Sequence, residues 1–446
     1  MKSNGVPNLV FARLGRVIVY TMLFGIAVAL SACGSDVGSE SRAPEQSAHG
    51  TGPDLSKSKP GLEKIFEYIP DIAETRETVY VLDIARLAQE LGISAPSGEA
   101  TTAEVIEYQK QIIVQSSRSV GIFPVHENSW LSGFNSYVGE FEETTYDSLG
   151  FDARNVEQIA MFGIREPMFR EVILGTYSPS ATLESLESCS DCLPHDVLEY
   201  AGVSYYAWGD DFASSIKLRF APPGYDFLGR GGRIFIDDGA AARTLSDEHM
   251  HQIIDAVRNF APSLADDPDY ALAISLLAER ETVDARITSA QHTPDSAIEL
   301  MEEAWANGFR REITADELRQ QLEATHLLLP YKVAAVGTAF PTSESTLPQT
   351  YVVLVHEDER DAQENADRLR SRIELDEYLF PFGTEADEPD MSAQSWSDHL
   401  LDYEITVQGR ALILRASAEK FGNTLEHSLL RASFFPLRIH ALILTE

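Results

Sequence analysis

The chain has 446 residues, with 70 acidic side chains against 35 basic ones, a formal charge of −35. That balance argues against a nucleic-acid partner, because such binding needs Lys and Arg to neutralise phosphates, and it favours solubility. Hydrophobic residues make up 44 per cent, enough to fill real cores, and at ~100–200 residues per domain the chain has room for two domains beyond its N-terminal leader.

The first residues carry Lys2, Arg13 and Arg16 and no acid before an apolar run, Val17 to Leu30. That run falls short of the about 20 residues a membrane span needs. A basic start, a short apolar core and small residues after it mark an export signal. Leu30-Ser31-Ala32-Cys33 then resembles the lipobox of bacterial lipoproteins. The resemblance implies that Cys33 carries a diacylglycerol, that residues 1–32 are cut away, and that the body is held at a membrane on its extracytoplasmic face. Several acyl chains, at about 0.8 kcal/mol per buried methylene, make such an anchor stable. Gly34 follows the cysteine, so the aspartate that keeps some lipoproteins at the inner membrane is absent. Cleavage would take the charge from −35 to −38.

Residues 33–60 are rich in Gly, Ser and Pro and read as the lipidated cysteine and a flexible tether, about 30 Å in reach. The body starts at residue 61. A strand is expected over Glu77–Ile84, helices over 85–92 and Thr102–Gln115, and strands over 156–164 and 170–177. A helix follows Pro179. Strands are expected at 203–209 and 233–237, and a helix capped by Ser246 follows them. A second series repeats that order from Thr282: strand, two helices, strand, strand, a long helix from Glu359, a hairpin turning at Gln408-Gly409, and a last helix from Ser417.

The shared order predicts an α+β protein of two duplicated ferredoxin-like, βαββαβ-type domains with antiparallel sheets, at 61–265 and 266–446. The segment between them, with Ser263-Leu264-Ala265-Asp266-Asp267-Pro268-Asp269-Tyr270, resembles exported bacterial proteins of repeated α+β domains with no assigned function. This second resemblance covers residues 230–290 and implies location and architecture only.

Cys189 and Cys192 are the other two cysteines. In an exported chain they read as a local disulfide. A redox pair and half of a metal site are the alternatives. The pair sits at the wrong end of its helix for the first, and for zinc His195 adds only a third ligand. His249 and His251 lie on an expected helix, where residues two apart point to different sides. Asp266, Asp267 and Asp269 read as a helix-capping turn rather than a calcium loop, and Glu385, Asp387, Glu388 and Asp390 as a solvated loop.

No Gly-x-Ser-x-Gly, His-Glu-x-x-His, Walker A or dinucleotide fingerprint occurs, so no catalytic residue, metal or cofactor is assigned. The candidate ligand contacts are Trp208, Arg219, Tyr225, Arg230 and Arg233. Arginine beside aromatics suits anionic or planar ligands. Asp210 and Asp211 could line the same edge, and the competing and favoured reading has the aromatics pinning the loop and the arginines pairing with local acids. The function expected is a non-enzymatic module binding a small molecule or an envelope protein. An envelope hydrolase with carboxylates in the interdomain cleft and a structural spacer are the alternatives.

Overall fold

The structure is a computed structural model. It describes residues 61–96, 98, 100–120, 153–163, 170–190, 192–218, 224–225, 229–306, 314–341, 347–375, 400–418 and 442–446. The signal, Cys33, the tether, Arg219, the acidic loop at 385–390 and most of the last expected helix lie outside them.

Helices begin where the sequence supplies caps. After the short α1 (Ala73–Glu77), α2 (Ile84–Glu90) opens on Asp83, whose carboxylate accepts from the Arg86 amide. α3 (Thr102–Val120) opens on a reciprocal box in which Thr101 and Glu104 accept each other's amides. α4 (Pro179–Ser188) follows Ser178, and α5 (Asp247–Val257) follows Ser246, which accepts from the His249 amide. α6 (Pro268–Ala278) is capped by Asp267, which accepts from the Asp269 and Tyr270 amides. α7 (Pro294–Ala306), α8 (Ala315–Glu323) and α9 (Glu359–Ile373) complete the set, with Thr314 and Glu317 boxing α8 and Asp358 capping α9. Each such cap contributes about 1 kcal/mol.

The strands of the first half are β1 (Val79–Asp83), β2 (Val156–Phe162), β3 (Arg170–Gly175), β4 (Asp196–Tyr200), β5 (Val203–Ala207), β6 (Arg233–Ile236) and β7 (Ala240–Thr244). The second half supplies β8 (Asp284–Thr288), β9 (Val333–Ala339), β10 (Gln349–Val355), β11 (Leu400–Gln408) and β12 (Ala411–Ala418). All join one twelve-stranded antiparallel sheet, in the order β11-β12-β10-β9-β8-β1-β2-β3-β7-β6-β5-β4.

The α+β class is as expected, but the ferredoxin-like arrangement is corrected. In a split βαβ unit another strand separates the first two. Here β1 pairs directly with β2, Val79 opposite Phe162. Its other edge pairs with β8, Val79 opposite Ile287 and Leu82 opposite Asp284, so strands of both halves share one sheet. The physical reason lies in burial. Every residue of β1 and of β8 is buried, and a buried strand edge must find a partner for its amides and carbonyls. The order of elements along a chain does not specify which strands satisfy that need.

Side-chain alternation splits the core between two faces. On one face Gly61–Tyr68 packs over β1–β3, α5 over β6 and β7, and α6 over β9 and β10. Phe66, Ile253, Tyr270 and Leu277 there meet Val81, Phe162, Phe235 and Val353. On the other face Leu87, Val105 and Leu186 of α2–α4 pack with Tyr80, Met161, Ile173 and Ile234, and Leu369 of α9 packs with Val352, Leu412 and Leu414.

The acidic turn before α6 is structural. Asp266 accepts from Ser263, and Asp267 pairs with Arg76 at 2.6 Å besides capping its helix. Arg76 also holds Asp71 through two bonds, at 2.5 and 2.8 Å, and its own carbonyl accepts from the buried Tyr270 hydroxyl at 2.6 Å. Asp269 pairs with Arg410 in the β11–β12 turn.

Candidate functional site

The loop singled out for its arginines and aromatics folds around Trp208. That side chain is fully buried and its Nε1 donates to the Leu193 carbonyl at 3.3 Å. The glycines of the loop lie against it. A β-carbon on Gly224 would sit 2.1 Å from the indole, and one on Gly231 would sit 1.9 Å from the Trp208 carbonyl oxygen. Arg233 is buried and saturated: it donates to Asp247 at 2.8 Å and to the Gly209 carbonyl at 3.0 Å, and it pairs with Asp211 at 2.7 Å. Tyr225 and Arg230 bridge to Gly231 and Ser214 across the same loop. The structure therefore brings Trp208, Tyr225, Arg230 and Arg233 together and arranges them as a folded knot, in keeping with the pinning reading. Cys189 and Cys192 form a disulfide just before Leu193, and the His195 ring lies 5.3 Å from the Trp208 ring.

The histidines of α5 point apart, as their helical spacing requires. His251 stacks on Tyr200, with ring centres 3.7 Å apart. His249 is buried, meets Phe212 edge-on at 5.5 Å, and has an Nδ1 without a partner.

Beside His249 lies a residue that the sequence did not single out. Arg170, the first residue of β3, is 1% exposed. Its Nη2 donates to Gln252 Oε1 at 3.1 Å, while Nε and Nη1 have no partner. His249 and Gln252 are three apart on α5 and so share a face. Burial pushes the Arg170 guanidinium down to about 10, against the opposing charges of Glu74 and Glu248. Burial, helped by the charge of Arg170, pushes His249 down to about 4. The arrangement offers a positive donor group and a neutral imidazole in a site nearly closed to water.

The opposite face carries buried charge as well. Glu171 lies opposite Arg243 in the β3–β7 register, and both are fully buried. A β-carbon on Gly232 would stand 3.0 Å from Arg243 Nε, so glycine there makes room for the guanidinium. Across the junction of the halves, the Arg286 guanidinium carbon sits 4.2 Å from the centre of the Tyr80 ring, and Asp284 accepts from the Thr338 amide at 2.8 Å.

His249 and His292 are both pushed down to about 4, chiefly by burial. An unfolded histidine titrates near 6.5, so between pH 6.5 and 4 the unfolded chain binds more protons than the folded one. Stability is then full above pH 6.5 and falls as the pH drops. Most carboxylates stay ionised down to pH 5. Denaturant melts at pH 7 and pH 5 should differ by roughly 4 kcal/mol, about 2 for each histidine, and the double variant His249→Gln/His292→Gln should lose most of that difference.

Among the described residues no three His, Cys, Asp or Glu gather as a metal site, and no helix is long and apolar enough to cross a membrane. No family model, no curated protein and no solved structure matches this chain.

Proposed function

We propose that this protein is a lipid-anchored extracytoplasmic binding module of the cell envelope, acting by holding a ligand rather than by transforming it. Attachment rests on Leu30-Ser31-Ala32-Cys33 behind a basic, then apolar, leader, and the Cys189–Cys192 disulfide suits an oxidising compartment. The observation that carries the binding reading is Arg170, a buried guanidinium with one hydrogen bond where the fold could have saturated it.

We also read the two halves as copies of one ancestral unit. The order strand, two helices, strand, strand, helix occurs in both, and the sheet meets at the first strand of each, β1 and β8.

Two measurements test the function. Cys33→Ser should abolish labelling by a radioactive fatty acid and shift the protein from the membrane fraction to the soluble one. Continued membrane retention without label would remove the anchor from the proposal. Native mass spectrometry of the full-length chain in mild detergent, after incubation with envelope extract, should show a stoichiometric added mass. A bare mass would turn the reading to a structural spacer, and conversion of an added compound would turn it to an enzyme.

A further inference from the structure

Two of the buried arginines, Arg233 and Arg372, are richly hydrogen-bonded within the fold. Arg233 holds Asp211 and Asp247 together with the Gly209 carbonyl. Arg372 donates to four main-chain carbonyls, those of Thr325, His326, Leu442 and Leu444. Arg170 is as deeply buried as Arg372 yet uses one of its five N–H groups, on the neutral amide of Gln252. A charge buried with so little compensation is costly. On the same face of α5 as Gln252, His249 Nδ1 is buried without a partner as well.

We infer that Arg170, Gln252 and His249 form a binding site for a small oxyanion, a carboxylate or phosphate group of a small molecule. The inference rests on the reading of the body as a binding module and names the chemistry of its ligand. A planar guanidinium presents paired N–H groups that match two oxygens of one carboxylate or phosphate, a contact that a lysine could not make. Nη2 is oriented by Gln252 and keeps a second hydrogen, which forms such a pair with the unpartnered Nε or Nη1. Uncharged His249 adds a nitrogen able to donate to an oxyanion. Glu74 and Glu248 support the charge of Arg170 electrostatically and no hydrogen bond joins them to it. Their negative charge disfavours ligands with further anionic groups on those sides. Three separate elements, β3, α5 and α1, supply these residues, so the site depends on the assembled fold.

The test uses the full-length protein in mild detergent. Thermal unfolding is followed in millimolar sodium phosphate, sodium acetate or sodium chloride at one ionic strength. Phosphate or acetate should raise the midpoint above the chloride value, as a ligand of the folded state must, and calorimetry should show Arg170→Gln binding that anion roughly tenfold or more weakly. A response to phosphate alone assigns a phosphate ligand, and one to acetate alone a carboxylate. Hydrogen exchange on the wild-type chain keeps the inference testable if Arg170→Gln does not fold: the active anion should slow exchange at the start of β3 and the first turns of α5. Equal stabilisation of wild type and Arg170→Gln, protection confined elsewhere, or no response to either anion overturns the site. If neither anion acts but Arg170→Gln still carries an extract-derived mass, the oxyanion site falls and the binding reading stands. If that mass is missing from wild type too, both fall.

Discussion

Trp208→Ala is expected to lower the unfolding free energy by about 3–5 kcal/mol, the range for emptying a buried aromatic site. Trp208 closes the core between the disulfide hairpin and the 224–232 loop. Its amide donates to the Gly232 carbonyl at 3.0 Å, its indole to Leu193 at 3.3 Å, and its ring is approached by Gly224 so closely that no side chain would fit. Removing the ring takes away the surface on which Gly224 rests. Chemical denaturation gives the size of the loss. Hydrogen exchange gives its place, with early loss of protection at Trp208, Gly231 and Ser215, whose amides are bonded within the knot. A stability change under about 1 kcal/mol would mean that the loop does not depend on Trp208 for its packing.

Arg372→Leu is expected to cost a similar amount, about 3–5 kcal/mol, because it strips donors from buried carbonyls. Arg372 sits on α9, 1% exposed, and burial pushes its guanidinium down to about 9. Its Nε and Nη groups reach the Thr325 carbonyl at 2.8 Å, that of Leu442 at 2.7 Å, that of His326 at 2.5 Å and that of Leu444 at 3.1 Å. Leucine fills part of the volume and leaves all four carbonyls without those donors, which is the expensive direction of the exchange. The residues affected hold the chain end in place: Leu328 donates to the Leu444 carbonyl at 2.9 Å, and Thr445 to that of His292 at 2.8 Å. Denaturant melts should show the loss, and exchange at the Leu328 and Thr445 amides should quicken first. Arg372→Lys keeps a charge and up to three donors and should recover part of the stability. Equal losses for leucine and lysine would mean that volume rather than hydrogen bonding sets the cost.

Local structure was largely legible. Ser246 and Asp267 each cap a helix because a short polar side chain at the head of a helical run has that use nearly everywhere. The Gln408-Gly409 signal gives the β11–β12 hairpin, with Gly409 at φ +56° as its tight turn requires. Two strands escaped notice. β7 reads Ala-Ala-Ala-Arg-Thr and is buried throughout, and alanine has little strand preference of its own. β4 reads Asp-Val-Leu-Glu-Tyr and is largely exposed at the sheet edge, so its apolar pattern is weak.

The candidate site divides the same way. Trp208 and Arg233 were visible because arginines and aromatics cluster around them along the chain, within a stretch that folds mainly upon itself. Arg170 and Arg372 were not, because charged side chains ordinarily stay at the surface, and nothing beside them in sequence marks them as buried. Arg170 meets Gln252 across 82 positions and Arg372 meets Leu444 across 72.

By itself the sequence determined what depends on near neighbours: the acidic balance, the lipobox-like leader, the caps, most strands and the mixed α+β class. Tertiary structure alone decided that β1 takes both β2 and β8 as partners, so that one sheet spans both halves. It also decided which arginines are buried and which of those are saturated. Propensity and capping are settled within a few residues, whereas strand pairing and charge burial depend on groups that meet only after the chain has closed over long separations.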